Sequence, residues 1–196
     1  MTLNLASIVR SSTRYFPDET ALIHDERRLS YRELSRHVEA FAAHLRALGV
    51  REGDKVALFL PNRMSFTIGY FGILHAGGTV VPVSFLSVAR EVAYTLRDSD
   101  AVLLIAWGGY EKAARAGFEA AGTARHLIFV DESRGPMTVL GGKPIDPDGR
   151  TDVALTRPDD TAVILYTSGT TGKPKKTKLT HFNMYSNAQY SAERIL

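Results

Sequence analysis

The sequence predicts an α/β fold in which helices flank a mostly parallel sheet. From residue 51 to residue 133, short apolar runs that suit buried strands alternate with stretches of helical length. The runs are apolar at nearly every position, which is typical of parallel strands covered on both faces. Successive runs are separated by more than the roughly dozen residues that a parallel crossover needs. We therefore expect βα repeats built on one central sheet.

Residues 1–50 are expected to form a leading helical segment. Ser30 and Glu33 have the spacing of a capping box and Gly49 is a suitable terminator, so the pattern predicts a helix from Ser30 to Gly49. Five apolar side chains recur on one face of this helix: Leu34, Val38, Phe41, Leu45 and Leu48. An apolar face of this size needs a cover. We expect a homodimer or a swapped oligomer, unless the helix folds back onto the sheet that begins at Lys55.

The βα repeats are expected over residues 51–133. The predicted strands are Lys55–Leu60, Thr79–Val83, Ala101–Ala106 and His126–Val130. The predicted helices are Ser65–His75, a second helix that Ser87 can cap, and Tyr110–Ala121. Residues 134–160 are expected to form a loop, because Arg134–Arg150 contains four glycines and three prolines. A strand at Thr161–Tyr166 and a helix over Met184–Leu196 complete the predicted elements.

The composition excludes several classes of protein. The chain has no cysteine, which excludes disulfide scaffolds, thiolate metal sites and cysteine nucleophiles and is consistent with a cytoplasmic location. No apolar run approaches the roughly 18 residues of a membrane span. Residues 169–178 hold four of the 24 basic residues and no acid, and the other 20 are outnumbered by the 21 acidic residues. One compact basic patch suits a nucleotide-sized anion, and we expect no nucleic-acid partner.

The junction after the strand Thr161–Tyr166 carries the clearest functional signal. It reads Thr-Ser-Gly-Thr-Thr-Gly-Lys-Pro-Lys over residues 167–175. Glycines allow successive backbone N–H groups to face an anion, and the hydroxyl groups can donate further hydrogen bonds. A loop at the carboxyl end of a strand is also where open α/β sheets bind ligands. The alternative is a solvated surface loop, which does not explain why the chain's excess positive charge gathers here.

Three other site motifs are excluded at this junction. A Walker A motif would need glycine at Thr167 and a hydroxyl residue at Pro174. A nucleophile elbow centred on Ser168 would need glycine at Tyr166 and Thr170. A glycine-rich dinucleotide fingerprint is not found in the sequence.

His37 and His44 are interpreted as the polar edge of the helix Ser30–Gly49, not as metal ligands.

Residues 166–175, followed by Leu179-Thr180-His181, closely resemble the phosphate-binding signature of adenylate-forming enzymes. These comprise acyl-CoA synthetases, peptide-synthetase adenylation domains and luciferases. The resemblance extends in order through Pro17-Asp18, Leu29–Leu34, Leu48–Ala57, Leu60-Pro61-Asn62 and His75–Pro82. Within the superfamily, the run from Leu60 to Val83 is most similar to fatty acyl-CoA synthetases. The chain is therefore expected to be the amino-terminal part of a large adenylation domain, with the C-terminal domain and the catalytic residues expected after Leu196.

The resemblance implies an acid–thiol ligase that uses ATP, Mg²⁺, a carboxylic acid and coenzyme A. It implies that the β- and γ-phosphates are enclosed by Ser168, Gly169, Thr170, Thr171 and Gly172. Thr167 would contact Mg²⁺, Lys175 would offset the charge of departing pyrophosphate, and His181 would support the loop. The chain alone is then expected not to turn over ATP. A non-catalytic phosphate- or nucleotide-binding α/β module remains the alternative.

Position 176 departs from the family pattern. The family usually has glycine there, whereas this chain has Lys176. The ammonium group could point at the phosphates and strengthen their binding, or it could point to solvent and leave only the backbone cost of replacing glycine. The neighbouring Lys175 and Lys178 favour solvent, and we expect a mobile loop in the unliganded chain.

Overall fold

The computed structural model describes residues 1–167 and 175–195. Its strands are β1 (Thr20–His24), β2 (Arg27–Ser30), β3 (Lys55–Phe59), β4 (Thr79–Pro82), β5 (Ala101–Trp107), β6 (His126–Asp131), β7 (Thr138–Leu140), β8 (Thr161–Thr167) and β9 (Lys175–Thr180). Its helices are α1 (Ser7–Tyr15), α2 (Tyr31–Ala47), α3 (Met64–His75), α4 (Ala89–Ser99), α5 (Glu111–Ala121) and α6 (His181–Ile195). The predicted α/β class is confirmed.

The central sheet has seven strands in the order β7-β6-β5-β3-β4-β8-β9. Its five inner strands are parallel, whereas β7 and β9 are antiparallel edge strands. The carboxyl ends of the inner strands therefore share one edge of the sheet, and the loop that follows β8 starts from that edge. A separate hairpin is formed by β1 and β2.

Two cores cover the two faces of the sheet because successive side chains of each inner strand point to opposite sides. On one face, α3 and α6 lie against the sheet, and α1 and α2 join the same core, which includes side chains such as Leu58 and Leu103. On the other face, α4 and α5 pack against side chains such as Phe59 and Leu104. Both cores contain side chains with no measurable exposure.

The predicted leading helix is confirmed as α2, but its apolar face is not exposed. Leu34, Val38, Phe41 and Leu45 are all at most 4% exposed, because α2 packs over α3 and the β1–β2 hairpin. The expectation of an uncovered face was wrong, and so this face gives no reason for a dimer. The leading segment is also not wholly helical, since β1 and β2 precede α2.

Two helix boundaries and two short strands differ from the sequence predictions. Helix α4 begins at Ala89, and the Glu91 carboxylate accepts a hydrogen bond from the Val88 N–H at 3.0 Å, so Ser87 is not its cap. The predicted loop 134–160 contains the short strand β7. Helix α6 begins at His181 and follows β9 directly, and β9 itself was not predicted. None of the helices in the part of the chain that is described is long and apolar enough to span a bilayer.

The N-cap of α2 allows a direct stability test. The Ser30 N–H donates to Glu33 Oε2 at 2.8 Å, and the Ser30 hydroxyl accepts from the Glu33 N–H at 3.2 Å. Ser30→Ala removes the second bond, so we expect a loss of about 1 kcal/mol in the free energy of unfolding, measured by urea denaturation. Ser30→Asp should retain most of the stability because aspartate also caps helices well. Equal losses in both variants would contradict the capping role.

Candidate phosphate-binding site

The candidate site is the segment that connects β8 to β9, at the carboxyl edge of the sheet. Strand β8 ends at Thr167 and β9 begins at Lys175, and these two residues are direct partners in the antiparallel register. Ser168, Gly169, Thr170, Thr171 and Gly172 lie outside the described residues. The structure thus describes the two ends of the predicted loop, and it brings the Thr167 hydroxyl and the Lys175 ammonium to one end of the hairpin.

The alternation of side chains along the hairpin separates two faces. Leu165 packs with the α3 face of the sheet and Tyr166 packs with the α4 face, so Thr167 lies on the same face as Leu165. Lys175 shares the face of its partner Thr167, and Lys176 shares that of its partner Tyr166. Both Thr167 and Lys175 are exposed. A hydroxyl donor and a cation therefore point together from one face of the hairpin.

Lys176 adopts neither of the two orientations considered from the sequence. Its Nζ lies 3.3 Å from Oδ2 of Asp98, a residue of α4, and it also contacts the Asp98 carbonyl oxygen. Tyr166 donates its hydroxyl hydrogen to the same Oδ2 at 2.6 Å. The lysine was expected to point to solvent. In the structure it forms an ion pair on the face opposite Lys175, because the register aligns it with Tyr166.

The protonation states in this cluster are fixed by their contacts. The hydrogen bond from Tyr166 holds the pKa of the Asp98 carboxyl below its usual value, and Lys176 adds to that effect. Burial and the neighbouring carboxylate raise the pKa of the Tyr166 phenol well above its usual value. At neutral pH Asp98 is therefore a carboxylate and Tyr166 a neutral phenol. Sequence analysis did not identify Asp98, because the side chain lies in α4, far from the motif in the chain.

His181 begins α6 and ties the end of the hairpin to the amino-terminal segment. It is 1% exposed, and its Nδ1 accepts a hydrogen bond from the Leu5 N–H at 3.0 Å. Thr180 and Asn183 exchange side-chain to backbone hydrogen bonds at 3.1 Å each, which fixes the start of α6. Burial lowers the pKa of His181. At neutral pH the ring is therefore uncharged, and support of residues 168–172 by His181 stays a prediction.

Four histidines make the fold sensitive to mild acid. Burial lowers the pKa of His37, His44, His75 and His181 from the usual 6.5. The unfolded chain therefore binds these protons at a higher pH than the folded chain does. Protonation of these histidines in the unfolded chain lowers the free energy of unfolding as pH falls below 6.5, by at most about 1.4 kcal/mol per pH unit for each histidine, and has no such effect above pH 6.5.

His44 was expected at a polar edge, but it is buried and stacks on Phe41.

We expect the free energy of unfolding to decrease between pH 6.5 and pH 5.5, as measured by urea denaturation. The carboxyl groups with lowered pKa, Glu33 and Asp98, act only at more acidic pH, around and below their usual values of 4.5 and 3.8. His181→Gln should reduce this dependence because the variant removes one of the buried rings. A free energy that stays constant over this interval would contradict the assignment.

The described residues do not by themselves make a metal site. Within residues 1–167 and 175–195, no group of three or more histidine, aspartate or glutamate side chains could hold a metal ion. Thr167 offers one hydroxyl oxygen, and the Asp98 carboxylate is already occupied on the opposite face. Mg²⁺ is commonly held through substrate phosphates and only one or two protein oxygens. Thr167 therefore fits a role as one ligand to a metal ion that phosphates carry.

Comparison with known proteins identifies a family and relatives with similar sequences. The family described as AMP-binding enzyme matches residues 9–195. The crotonobetaine/carnitine–CoA ligase of Escherichia coli O17:K52:H18 is 32% identical over an alignment of 181 residues that covers 84% of this chain and 33% of the relative. A fatty acyl CoA synthetase of Mycobacterium tuberculosis is 28% identical with a TM-score of 0.75, over 91% of this chain and 34% of that one.

The fold itself extends to more distant structures. A long-chain-fatty-acid-CoA ligase from Archaeoglobus fulgidus superposes with a TM-score of 0.83 at 24% identity, over 98% of this chain and 39% of that chain. The chain thus spans about a third of the length of the relatives it matches. Because the family match covers nearly all of the sequence, the chain belongs to the AMP-binding enzymes, as its resemblance to adenylate-forming enzymes predicts.

Proposed function

We propose that this chain supplies the phosphate-binding part of an ATP-dependent acid–thiol ligase. In the proposed reaction a carboxylate attacks the α-phosphate of ATP to give an acyl-adenylate and pyrophosphate. The thiol of coenzyme A then attacks the acyl carbonyl, forms the thioester and releases AMP. Membership of the AMP-binding enzymes and a relative named as a CoA ligase support this reaction class. We further propose a cytoplasmic location, in line with the cysteine-free sequence.

The observation that carries the proposal is the pairing of Thr167 with Lys175 across the hairpin. It puts a hydroxyl group and an ammonium group on one face, at the edge where open α/β sheets bind ligands. In the proposed step, negative charge accumulates on the departing pyrophosphate. A cation held in place beforehand stabilises that charge without having to reorganise.

The remaining roles follow from the motif. Residues 168–172 are proposed to donate backbone and hydroxyl hydrogen bonds to the β- and γ-phosphates. Thr167 is proposed as an oxygen ligand of the Mg²⁺ that accompanies ATP. That ion would reduce the repulsion between the phosphates and the incoming carboxylate when it is bound. Lys176 has no direct role here, because its charge is offset by Asp98 on the other face.

We propose a fatty acid as the substrate. The similarity to a protein named as a fatty acyl CoA synthetase supports it, and so does the sequence from Leu60 to Val83. The crotonobetaine/carnitine–CoA ligase is a relative named for different acids, and crotonobetaine and carnitine are therefore the competing substrates to compare.

The test is carboxylate-dependent exchange of labelled pyrophosphate into ATP by the complete polypeptide that carries this chain. A panel of fatty acids of graded length should be compared with benzoate, crotonobetaine and carnitine, and thioester formation should be followed with coenzyme A. We expect exchange with fatty acids and acyl-CoA only when coenzyme A is present. Binding of pyrophosphate with no exchange for any acid would favour the non-catalytic phosphate-binding module instead.

A further inference from the structure

We propose that Asp98 is a positioning residue of the phosphate-binding hairpin: its carboxylate, shared by Tyr166 and Lys176, clamps the end of the β8–β9 hairpin to α4 and so fixes where Thr167 and Lys175 point. This inference rests on the proposed function and deepens it. It assigns a role to a residue of α4 that belongs to no part of the motif, and to the lysine that replaces the family's usual glycine.

The end of β8 needs such a contact because it extends past its neighbour in the sheet. Val163 pairs with Val80, so Pro82, the last residue of β4, lies level with Leu165. Tyr166 and Thr167 project beyond that end, and their ladder partners among the described residues are Lys176 and Lys175 of the edge strand β9. The start of β8 is tied to β4 by the Thr79 hydroxyl, which donates to the Thr161 carbonyl at 2.8 Å. Among the described residues, no side-chain hydrogen bond of this kind joins the far end of β8 to β4.

Helix α4 provides the missing tie. Asp98 binds one residue from each strand of the hairpin, at 2.6 Å to the Tyr166 hydroxyl and 3.3 Å to the Lys176 ammonium. The ring of Tyr94, one turn earlier in α4, packs edge-on against Tyr166 with 6.1 Å between the ring centroids. The Asp98 and Lys176 side chains are 35% and 31% exposed, so the ion pair is partly shielded from water.

The contact acts on the candidate site through the neighbouring residues. Tyr166 precedes Thr167 and Lys176 follows Lys175, so each clamped residue is adjacent in the chain to one that points at the phosphates. Fixing the clamped pair on the α4 face fixes the opposite face as well, since side chains alternate along a strand. If the clamp opens, Thr167 and Lys175 lose their preset spacing, and ATP binding must supply the ordering.

The test compares variants of the complete polypeptide by KM for ATP, kcat and thermal midpoint. Asp98→Ala and Lys176→Met should each raise KM for ATP, by roughly three- to tenfold, while Lys176→Arg, which can keep the ion pair, should remain near the wild type. In the Asp98→Ala background, Lys176→Met should have little further effect. Lys178→Met removes the same charge from the same strand and face without touching Asp98, so it controls for long-range charge. Glu119→Ala is the matched control for an exposed acid.

Salt dependence separates a clamp from a direct phosphate contact. A lysine that binds phosphate loses affinity steeply with salt, so its removal flattens the dependence of ATP affinity on ionic strength. We expect the dependence of ATP affinity on ionic strength to have the same slope in Lys176→Met as in Lys178→Met. Equal effects of Lys176→Met in the wild-type and Asp98→Ala backgrounds, or a flattened slope, would overturn the clamp. The clamp would also be overturned if Asp98→Ala leaves KM for ATP unchanged while Thr167→Ala and Lys175→Ala abolish activity. If Thr167→Ala and Lys175→Ala have no effect, the proposed function itself is refuted.

Discussion

Thr167→Ala or Lys175→Ala, in the complete polypeptide that carries this chain, is expected to lower carboxylate-dependent ATP–pyrophosphate exchange by about 10²–10³-fold. The two residues face each other across the hairpin at the edge of the sheet, and both side chains are exposed on one face. Removing a fixed donor or cation at the point where charge develops in the transition state typically has an effect of this size. Lys175→Arg should lose less than Lys175→Ala because it keeps the charge.

The controls for this prediction come from the same region of the fold and from the surface. Thr177→Ala removes a hydroxyl from an exposed position of β9 that pairs with Leu165, two residues from the end of β8. Lys143→Ala removes an exposed cation from the segment 134–160. Both controls should remain within about twofold of the wild type. Retention of full activity by Thr167→Ala and Lys175→Ala together would show that the hairpin does not bind the phosphates.

The parts of the fold that the sequence predicts are those with strong periodicity or strong end signals. Helix α2 has both, since a capping box precedes a regular apolar face. The hairpin of β1 and β2 has neither. Its two-residue turn, Asp25-Glu26, has no glycine, although Asp25 adopts a positive φ of 54°. Strand β2 contains two exposed arginines, so its sequence does not show the apolar content of a sheet strand.

Strand β9 was missed for a related physical reason. Three of its six residues are lysine, and such a composition is usually taken for a solvated loop. Edge strands nevertheless tolerate and even favour lysine, because charge discourages pairing with another chain. The position of the candidate site was therefore predicted from its glycine and hydroxyl residues, whereas the pairing of β8 with β9 beside it was not predicted. The role of Asp98 depends on the packing of α4 against the sheet, and a local pattern holds no information about that contact.

Phe41→Ala is expected to lower the free energy of unfolding by about 3–5 kcal/mol, the largest stability effect we predict. Phe41 is the central residue of the α2 face that was expected to be uncovered, and the structure leaves its ring 0% exposed. The ring lies against Gly72 of α3, where a methyl group would come within 2.8 Å of the ring atom Cδ1. The glycine has no side chain that could fill the space left by the ring, so the cavity should collapse only in part.

A double-mutant cycle with Gly72 tests this contact. Gly72→Ala should destabilise the wild type, because the buried ring has no room to move and the strain exceeds the roughly 1 kcal/mol that alanine gains over glycine in a helix. In the Phe41→Ala background the same methyl group enters the cavity, so Gly72→Ala should become neutral or stabilising. Leu86→Ala, at a side chain that is 76% exposed, is the control and should change stability by less than about 0.5 kcal/mol. Urea denaturation measures all four variants, and Phe41→Leu provides a milder change if Phe41→Ala does not fold. Additive effects of Phe41→Ala and Gly72→Ala, or a loss below about 1 kcal/mol for Phe41→Ala, would mean that α2 does not close over α3 as the structure has it.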